Sequence, residues 1–185
     1  MNVVRTILGR PHQRCGFTLI ETALATVIVG VGIVASVQMF AACTNQNQTS
    51  AQMSVATMLT TNIQEAMGGL SFADPGVGHT HFGPETGETL ATYNDVDDFD
   101  GSTFNPPIDS LRHQLTNMSQ YSQVVSVWPV DPNNLSTNSA ETTPGNPPKG
   151  SYTGAVRVRV RVLYRARTTD VPAEVYRASW ICMDN

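Results

Sequence analysis

Charged side chains are almost absent from a long stretch near the start of this sequence. Between Cys15 and Gln64, Glu21 is the only Asp, Glu, Lys or Arg. Proline and glycine are also missing from 43–67. The lack of charge excludes an ordinary water-exposed surface segment for the apolar part, and the lack of helix breakers leaves nothing to end a helix there.

Cysteine is scarce, and its spacing fits neither a zinc site nor a disulfide framework. Cys15, Cys43 and Cys182 form no CxxC pair and no dense, even framework. This excludes the usual zinc motifs and a disulfide scaffold. We expect no Cys43–Cys182 bridge, because a rigid helix would hold these residues too far apart.

Recognisable catalytic motifs are lacking too. The sequence has no nucleophile elbow, phosphate-binding glycine loop, metal motif or evident triad. We therefore predict that the protein is not an enzyme and has no cofactor, with calcium as the one alternative considered below.

What the sequence does contain fits one modest domain and an anchor. Its 185 residues are 41% hydrophobic and 14% charged, with a formal charge of −4. Three arginines, Arg5, Arg10 and Arg14, precede the apolar run. Without residues 1–16, 8 basic residues face 15 acidic ones. This acidic balance makes nucleic acid an unlikely partner.

The apolar run predicts a transmembrane helix. Thr22 to Cys43 comprises 22 residues dominated by Ala, Val, Ile and Gly, and about 20 helical residues span a hydrocarbon core. A secretory signal peptide is the alternative, since it also joins a basic segment to an apolar one. The length of the run and the carboxylate of Glu21 near its start argue against that alternative.

Residues 16–21, read as GFTLIE after a short basic leader, carry a resemblance. They are similar to the processing site of type IV prepilins and type II secretion pseudopilins. The resemblance implies that prepilin peptidase cleaves after Gly16 and methylates the new terminal amine of Phe17. It also implies that Glu21 pairs with the Phe17 amine of a neighbouring subunit during assembly, whereas the alternative is that Glu21 snorkels to the headgroups.

The resemblance has further implications for location and partners. It implies a single-pass inner-membrane protein, with the leader cytoplasmic and the globular part periplasmic, that later enters a filament. Other pilin or pseudopilin subunits, prepilin peptidase and an inner-membrane assembly platform would be its partners. The apolar run resembles minor subunits of the pilus-modification type and the I-type pseudopilin. The rival hypothesis is a periplasmic binding module anchored by the membrane helix or by a lipid on Cys43.

We predict an α+β, pilin-like fold. A leader (1–16) and a membrane or filament-core helix (17–43) precede an amphipathic continuation of that helix (44–70) and a globular head (71–185). The continuation carries apolar residues at spacings of three and four: Ala51, Val55, Met58, Leu59, Ile63, Ala66, Met67 and Leu70. Gly68 and Gly69 are expected to end it, and it should pack on an antiparallel sheet in about 121–184.

Three segments are predicted as strands of that sheet: 121–130, 155–166 and 174–182. In 155–166, valines alternate with Arg157, Arg159, Arg161 and Arg165. This alternation predicts that the valines lie on a buried face of the sheet and the arginines on a solvent-exposed face. Glu174 is expected to lie near the arginines. We favour a solvated arginine face that discourages edge pairing over a site for anionic partners. A short helix within 106–118, capped by Asp109 or Ser110, is also predicted.

Residues 71–107 are predicted to form an irregular acidic loop. Four aspartates within six residues, Asp95, Asp97, Asp98 and Asp100, suggest calcium, with turn-forming aspartates as the simpler interpretation. The register does not match an EF-hand.

Two histidines in the same region suggest a transition-metal site only weakly. His79 and His81 lie near Glu85 and Glu88 in the sequence, but no third fixed ligand is evident. Exposed loop histidines are therefore the preferred interpretation.

Overall fold

A computed structural model describes residues 16–72, 83–135 and 154–184. Their contacts divide the chain into two compact units, Met1–Gln48 and Thr49–Asn185. A helix, α1, runs without interruption from Leu19 to Met67 and so contributes to both units. The predicted α+β class is confirmed by this helix and by the sheet described below.

In the C-terminal unit, α1 supplies one side of the hydrophobic core. Its buried residues there are Ala56, Leu59, Thr60, Ile63, Ala66 and Met67. The predicted stripe is therefore confirmed in most of its members, but Ala51 and Met58 are exposed. Ala56 and Thr60, which were not in the predicted stripe, take the buried positions instead.

The two glycines end α1 as predicted. Gly69 has φ +88°, a left-handed conformation that glycine adopts without a steric penalty. At Gly68 a Cβ atom would lie 3.1 Å from the carbonyl oxygen of Glu65. The segment that follows α1 joins the acidic loop, because Ser71 pairs with Asp95 in an isolated bridge.

Over the described residues, four strands form one antiparallel sheet in the order β1–β2–β3–β4. Their bounds are Thr103–Phe104, Tyr121–Pro129, Ala155–Tyr164 and Ala173–Met183. The three predicted strands and the β3–β4 hairpin are confirmed. The two-residue strand β1 was not predicted, because it is too short to show an alternating pattern.

The face of the sheet towards α1 is built from the alternating residues of β3. Val156, Val158, Val160 and Val162 are all fully buried, in one cluster with Leu59 and Ile63 of the helix. In β2, Val125 pairs with Val160 and Val127 with Val158. The period of two therefore places the valines in the core, as the sequence predicts.

The prediction of a short helix within 106–118, capped by Asp109 or Ser110, is wrong. Residues after Ile108 form turns in which Asp109 Oδ1 accepts hydrogen bonds from the backbone N–H groups of Leu111 and His113. Only a 3₁₀ turn, Thr116–Met118, is helical among these residues. The Asp109 side chain takes the His113 N–H, which in an α-helix would bond to the backbone carbonyl of Asp109.

A buried amide connects the helix, the sheet and the loop. Gln123 of β2 is fully buried; its Nε2 donates to the carbonyl oxygens of Leu59 (2.8 Å) and Ile108 (3.2 Å). Its Oε1 accepts from the backbone N–H of Ile108 at 2.7 Å. One side chain thus satisfies backbone groups on both of its neighbours.

We predict that Gln123→Ala lowers the free energy of unfolding by about 2–4 kcal/mol, because it leaves the buried Ile108 N–H unpaired and opens a cavity. The exposed Gln120→Ala is the control and should change it by about 0.5 kcal/mol or less. Urea unfolding of the full chain in detergent, followed by fluorescence of the buried Trp128, measures both. Equal effects of the two variants would contradict the assigned role.

Candidate functional site

The predicted processing residues lie at the start of the described chain. Gly16 and Phe17 precede α1, and the Phe17 side chain is 78% exposed. Glu21 lies in the first turn of the helix, where its backbone N–H donates to the carbonyl oxygen of Thr18 at 3.1 Å. Among the described residues, no basic side chain forms an ion pair with Glu21.

In the N-terminal unit, α1 presents an apolar surface that no described residue covers. Its large apolar side chains are 57–88% exposed; they are Phe17, Leu19, Ile20, Leu24, Val27, Ile28, Val29, Val31, Ile33, Val34, Val37, Met39 and Phe40. In the described part of the chain, α1 is the one helix long and apolar enough to cross a membrane, and its most apolar window is 0% buried. This helix is therefore a candidate single membrane span.

The four aspartates of the acidic loop are buried. Asp95, Asp97, Asp98 and Asp100 are each at most 7% exposed. Asp97 Oδ2 accepts from the backbone N–H of Gly83, and Asp100 Oδ1 accepts from that of Val127 in β2, both at 2.8 Å. Asp97 and Asp100 thus connect separate parts of the backbone. This is a structural role, as in the interpretation of these residues as turn-forming aspartates rather than calcium ligands.

Asp95 and Asp98 bracket the start of a 3₁₀ turn, Asp97–Phe99. Asp98 N–H donates to Asp95 Oδ1 at 3.1 Å, while Asp98 Oδ2 accepts from the N–H groups of Asp95 (3.2 Å) and Asn94 (2.8 Å). This reciprocal pairing resembles a helix capping box and fixes the Asp98 side chain. The other carboxylate oxygen, Asp98 Oδ1, is buried and has no hydrogen-bond partner.

The structure brings Asp98 together with two glutamates. One carboxylate oxygen each from Glu85, Glu88 and Asp98 lie within 4.8 Å of one another. Gly87, at φ +97°, lets the chain turn between the two glutamates. Glu85 N–H donates to Glu88 Oε2 at 3.0 Å, and Asn94 Nδ2 donates to Glu88 Oε1 at 3.1 Å. Glu85 Oε2, like Asp98 Oδ1, is buried without a hydrogen-bond partner.

Burial and mutual repulsion change how these carboxyls titrate. Burial, with the neighbouring Asp97, raises the pKa of Asp95 to about 8. Burial likewise raises the pKa of Asp98 to about 6 and, together with Glu88, that of Glu85 to about 7. Burial also disfavours the charged form of Glu88, but hydrogen bonds, first that from Glu85 N–H, lower its pKa overall. The cluster therefore holds protons near neutral pH unless a cation replaces them.

Arg112 fixes the same loop from its other side. It has φ +66°, and its guanidinium donates to the carbonyl oxygens of Tyr93 (2.8 Å), Leu90 (3.2 Å) and Ala66 (3.4 Å). It also lies over the buried ring of Phe99 at 5.5 Å. No local sequence signal distinguishes this arginine, since its partners are 19 to 46 residues away.

The arginine row lies on the face of the sheet opposite the valines, but it is not simply solvated. Arg157, Arg159 and Arg161 are half-buried on an interior strand, and Arg159 lies 4.7 Å above the ring of Trp128. The idea that this row blocks edge pairing is therefore wrong, because β2 and β4 flank β3. Glu174 bonds to Arg177 at 2.9 and 3.0 Å, and its pKa is lowered first by Arg177 and also by Arg161 and Arg159. The predicted proximity of Glu174 to the arginines is thus confirmed.

Other residues considered from the sequence have simpler outcomes. His79 and His81 lie outside the described residues. Cys43 is exposed and Cys182 half-buried, and both are free thiols, as expected. Burial raises the pKa of the Cys182 thiol.

Comparisons with protein-family models, with curated proteins and with solved structures find no match for this chain.

We predict that, in the presence of a chelator, the free energy of unfolding falls as the pH rises from about 5 to 8. The unfolded carboxyls titrate near 3.8 to 4.5, whereas Glu85, Asp95 and Asp98 have raised pKa values when folded, so the folded state binds more protons in this range. Urea midpoints of the detergent-solubilised chain in EDTA measure the trend.

The control for this pH dependence is Asp95→Asn, which removes the highest of these pKa values and should flatten the slope. Glu174, with its lowered pKa, acts with the opposite sign but only below about pH 4.5. Stability that stays constant or rises between pH 5 and 8 would contradict the prediction.

Proposed function

We propose that this protein is a minor pilin or pseudopilin, a non-enzymatic subunit that a prepilin peptidase cleaves after Gly16 and methylates at Phe17. It enters the inner membrane through the first half of α1, with the C-terminal unit on the periplasmic side. It then assembles with other pilin-like subunits on an inner-membrane platform, where it primes or modifies a filament.

The continuity of α1 is the observation that carries this proposal. An ordinary signal peptide ends its apolar run at a cleavage site and is removed. Here the exposed apolar half, from Leu19 to Phe40, leads without a break into the half that holds Leu59 and Ile63 in the core. A helix of this kind serves as an anchor that stays attached to its folded domain.

Exposed apolar area on this scale needs a low-dielectric environment in every state of the protein. Lipid provides it before assembly, and neighbouring helices provide it afterwards. Gly30 and Gly32, which have open space around their Cα atoms, lie on different faces of α1 and permit close approach of a neighbouring helix at either face. The same apolar surface can therefore pack against lipid in the membrane and against neighbouring helices in a filament. This favours polymerisation over simple anchoring as the function.

Glu21 gives the assembly step its specificity. A carboxylate near the start of an apolar helix is costly in lipid and is stabilised by a cation. Cleavage after Gly16 would create such a cation, the amine of Phe17, on every subunit. Because Phe17 lies only four residues before Glu21, which is fixed in the first turn of α1, pairing between chains sets the axial offset of neighbours.

The lipid-anchored alternative requires cleavage before Cys43. This cysteine lies in the interior of α1, so cleavage there would separate the core-forming half from the preceding 24 helical residues of Leu19–Ala42. Nothing in the described part of the fold favours this position for cleavage, and the alternative is tested together with the main proposal below.

We predict that the protein purified from its native membrane begins at Phe17 and carries one methyl group on its terminal amine. Mass spectrometry of the intact chain and of its N-terminal peptide measures both. Gly16→Ala keeps the membrane helix and serves as the control; it should slow cleavage and leave residues 1–16 attached. A native N-terminus at Met1, or a diacylated Cys43, would refute the proposal.

We also predict that Glu21→Ala leaves membrane insertion and cleavage intact but reduces incorporation into sheared filaments at least tenfold. The matched control is Glu65→Ala, which removes the other carboxylate of α1 at an exposed site and should assemble normally. Immunoblots of filament and membrane fractions quantify the two variants. Incorporation of Glu21→Ala at the control level would refute the role of Glu21.

A further inference from the structure

We propose that Glu85, Glu88 and Asp98 bind one calcium ion, which ties the Glu85–Glu88 turn to the 3₁₀ turn of the acidic loop. The inference concerns the C-terminal unit alone and does not depend on the proposed assembly function. It also assigns the ligands differently from the sequence, which suggested the four aspartates of 95–100.

The first argument is that a carboxylate oxygen is buried with nothing to bind. Asp98 is 0% exposed, and its Oδ1 has no hydrogen-bond partner, whereas its Oδ2 accepts two backbone N–H groups. A buried acceptor in this state is destabilising, more so when it is charged. Glu85 Oε2 has the same deficit, so two of the three clustered residues carry a buried oxygen without a hydrogen-bond partner.

The second argument is that, within 16–72, 83–135 and 154–184, no cationic side chain neutralises the cluster. Among the described residues, no arginine or histidine forms an ion pair with Glu85, Glu88 or Asp98. The nearby Arg112 donates instead to the carbonyl oxygens of Leu90 and Tyr93. Three carboxylates at this spacing repel one another strongly in a poorly solvated site, and a divalent cation removes that repulsion.

The third argument is that oxygen chemistry and spacing favour calcium. Carboxylates select hard cations rather than transition metals. Two ligands on opposite sides of a calcium ion are separated by about 4.6–5.2 Å, given its bond lengths of about 2.3–2.6 Å. The three oxygens lie within 4.8 Å of one another, so one ion of this size can reach all of them. An irregular loop suits the flexible coordination of calcium better than the octahedron of magnesium.

The surrounding hydrogen bonds hold the three ligands in place. Asn94 Nδ2 fixes Glu88 Oε1, Glu85 N–H fixes Glu88 Oε2, and the backbone of Asn94 and Asp95 fixes Asp98 Oδ2. Support of this kind is typical of sites whose ligands are oriented before the ion arrives. Water and further loop oxygens would complete the coordination sphere.

The test uses the full chain in detergent, stripped of metal with EDTA and then dialysed. Addition of 2 mM calcium chloride should raise the midpoint of thermal unfolding, followed by tryptophan fluorescence, by about 5 °C. Equilibrium dialysis with radioactive calcium should show one ion per chain with a Kd below about 1 mM. If 2 mM calcium causes no shift of the midpoint and no calcium is bound at 2 mM, the proposal is overturned. An equal shift with 2 mM magnesium would also overturn it.

The variants Asp98→Asn and Glu85→Gln identify the ligands. The asparagine of the first variant keeps a carbonyl oxygen for the two backbone N–H groups. Its loop should therefore still fold and, in EDTA, should melt no lower than the parent protein because repulsion is reduced. Both variants should weaken calcium binding at least tenfold. The matched control Glu65→Gln, on the exposed surface of α1, should bind as the parent does.

The outcomes of this comparison are distinct. Loss of the calcium response with an unchanged or higher midpoint in EDTA supports the site. A calcium response retained by both Asp98→Asn and Glu85→Gln would overturn it. A midpoint in EDTA that falls sharply in both variants would show that these carboxylates only hold the loop together, and would also overturn it.

Discussion

The need to keep apolar surface away from water is the constraint on which the rest of the molecule depends. The two halves of α1 differ in how their apolar residues are kept from water. Ala56, Leu59, Ile63, Ala66 and Met67 are buried in the core that α1 shares with the sheet, while the large apolar residues from Leu19 to Phe40 have no cover within the described chain. No residue of the described chain covers the exposed half, so the proposed function assigns this role to lipid and to neighbouring helices. Membrane insertion and lateral helix packing are both answers to that single requirement, and they follow one another in the proposed function.

The elements with a clear period in the sequence are those that could be predicted. The valines of β3 alternate over ten residues, and all of them face the helix as expected. The end of α1 followed from Gly68 and Gly69, whose local geometry does not depend on the rest of the fold. The details of the helix stripe were less predictable, because Ala56 and Thr60 are buried through the position of the sheet rather than through their own hydrophobicity.

Residues whose roles depend on partners far away in the sequence could not be predicted. Gln123 looks like a polar residue in a strand, yet it is fully buried because backbone groups of Leu59 and Ile108 surround it. Glu85 and Glu88 drew attention only as neighbours of two histidines, whereas the fold joins them to Asp98 across ten or more residues. Asp109 indicated a helix cap but forms a turn instead, in which its side chain takes the His113 N–H that a helix would bond to the Asp109 carbonyl. Spacing along the chain carries no record of such tertiary contacts.

The carboxylate of Asp100 has one more effect, through its bond to the backbone of Val127. Strand β1 covers β2 only at Val124 and Gln123. Beyond it, Ser102 O accepts from Val125 N–H and the Asp100 side chain accepts from Val127 N–H, so a carboxylate takes the place of a strand carbonyl. These donors are thereby unavailable as a template for a foreign strand. In the assembly that we propose, this contact protects the β2 side of the sheet from pairing with a strand of a neighbouring subunit.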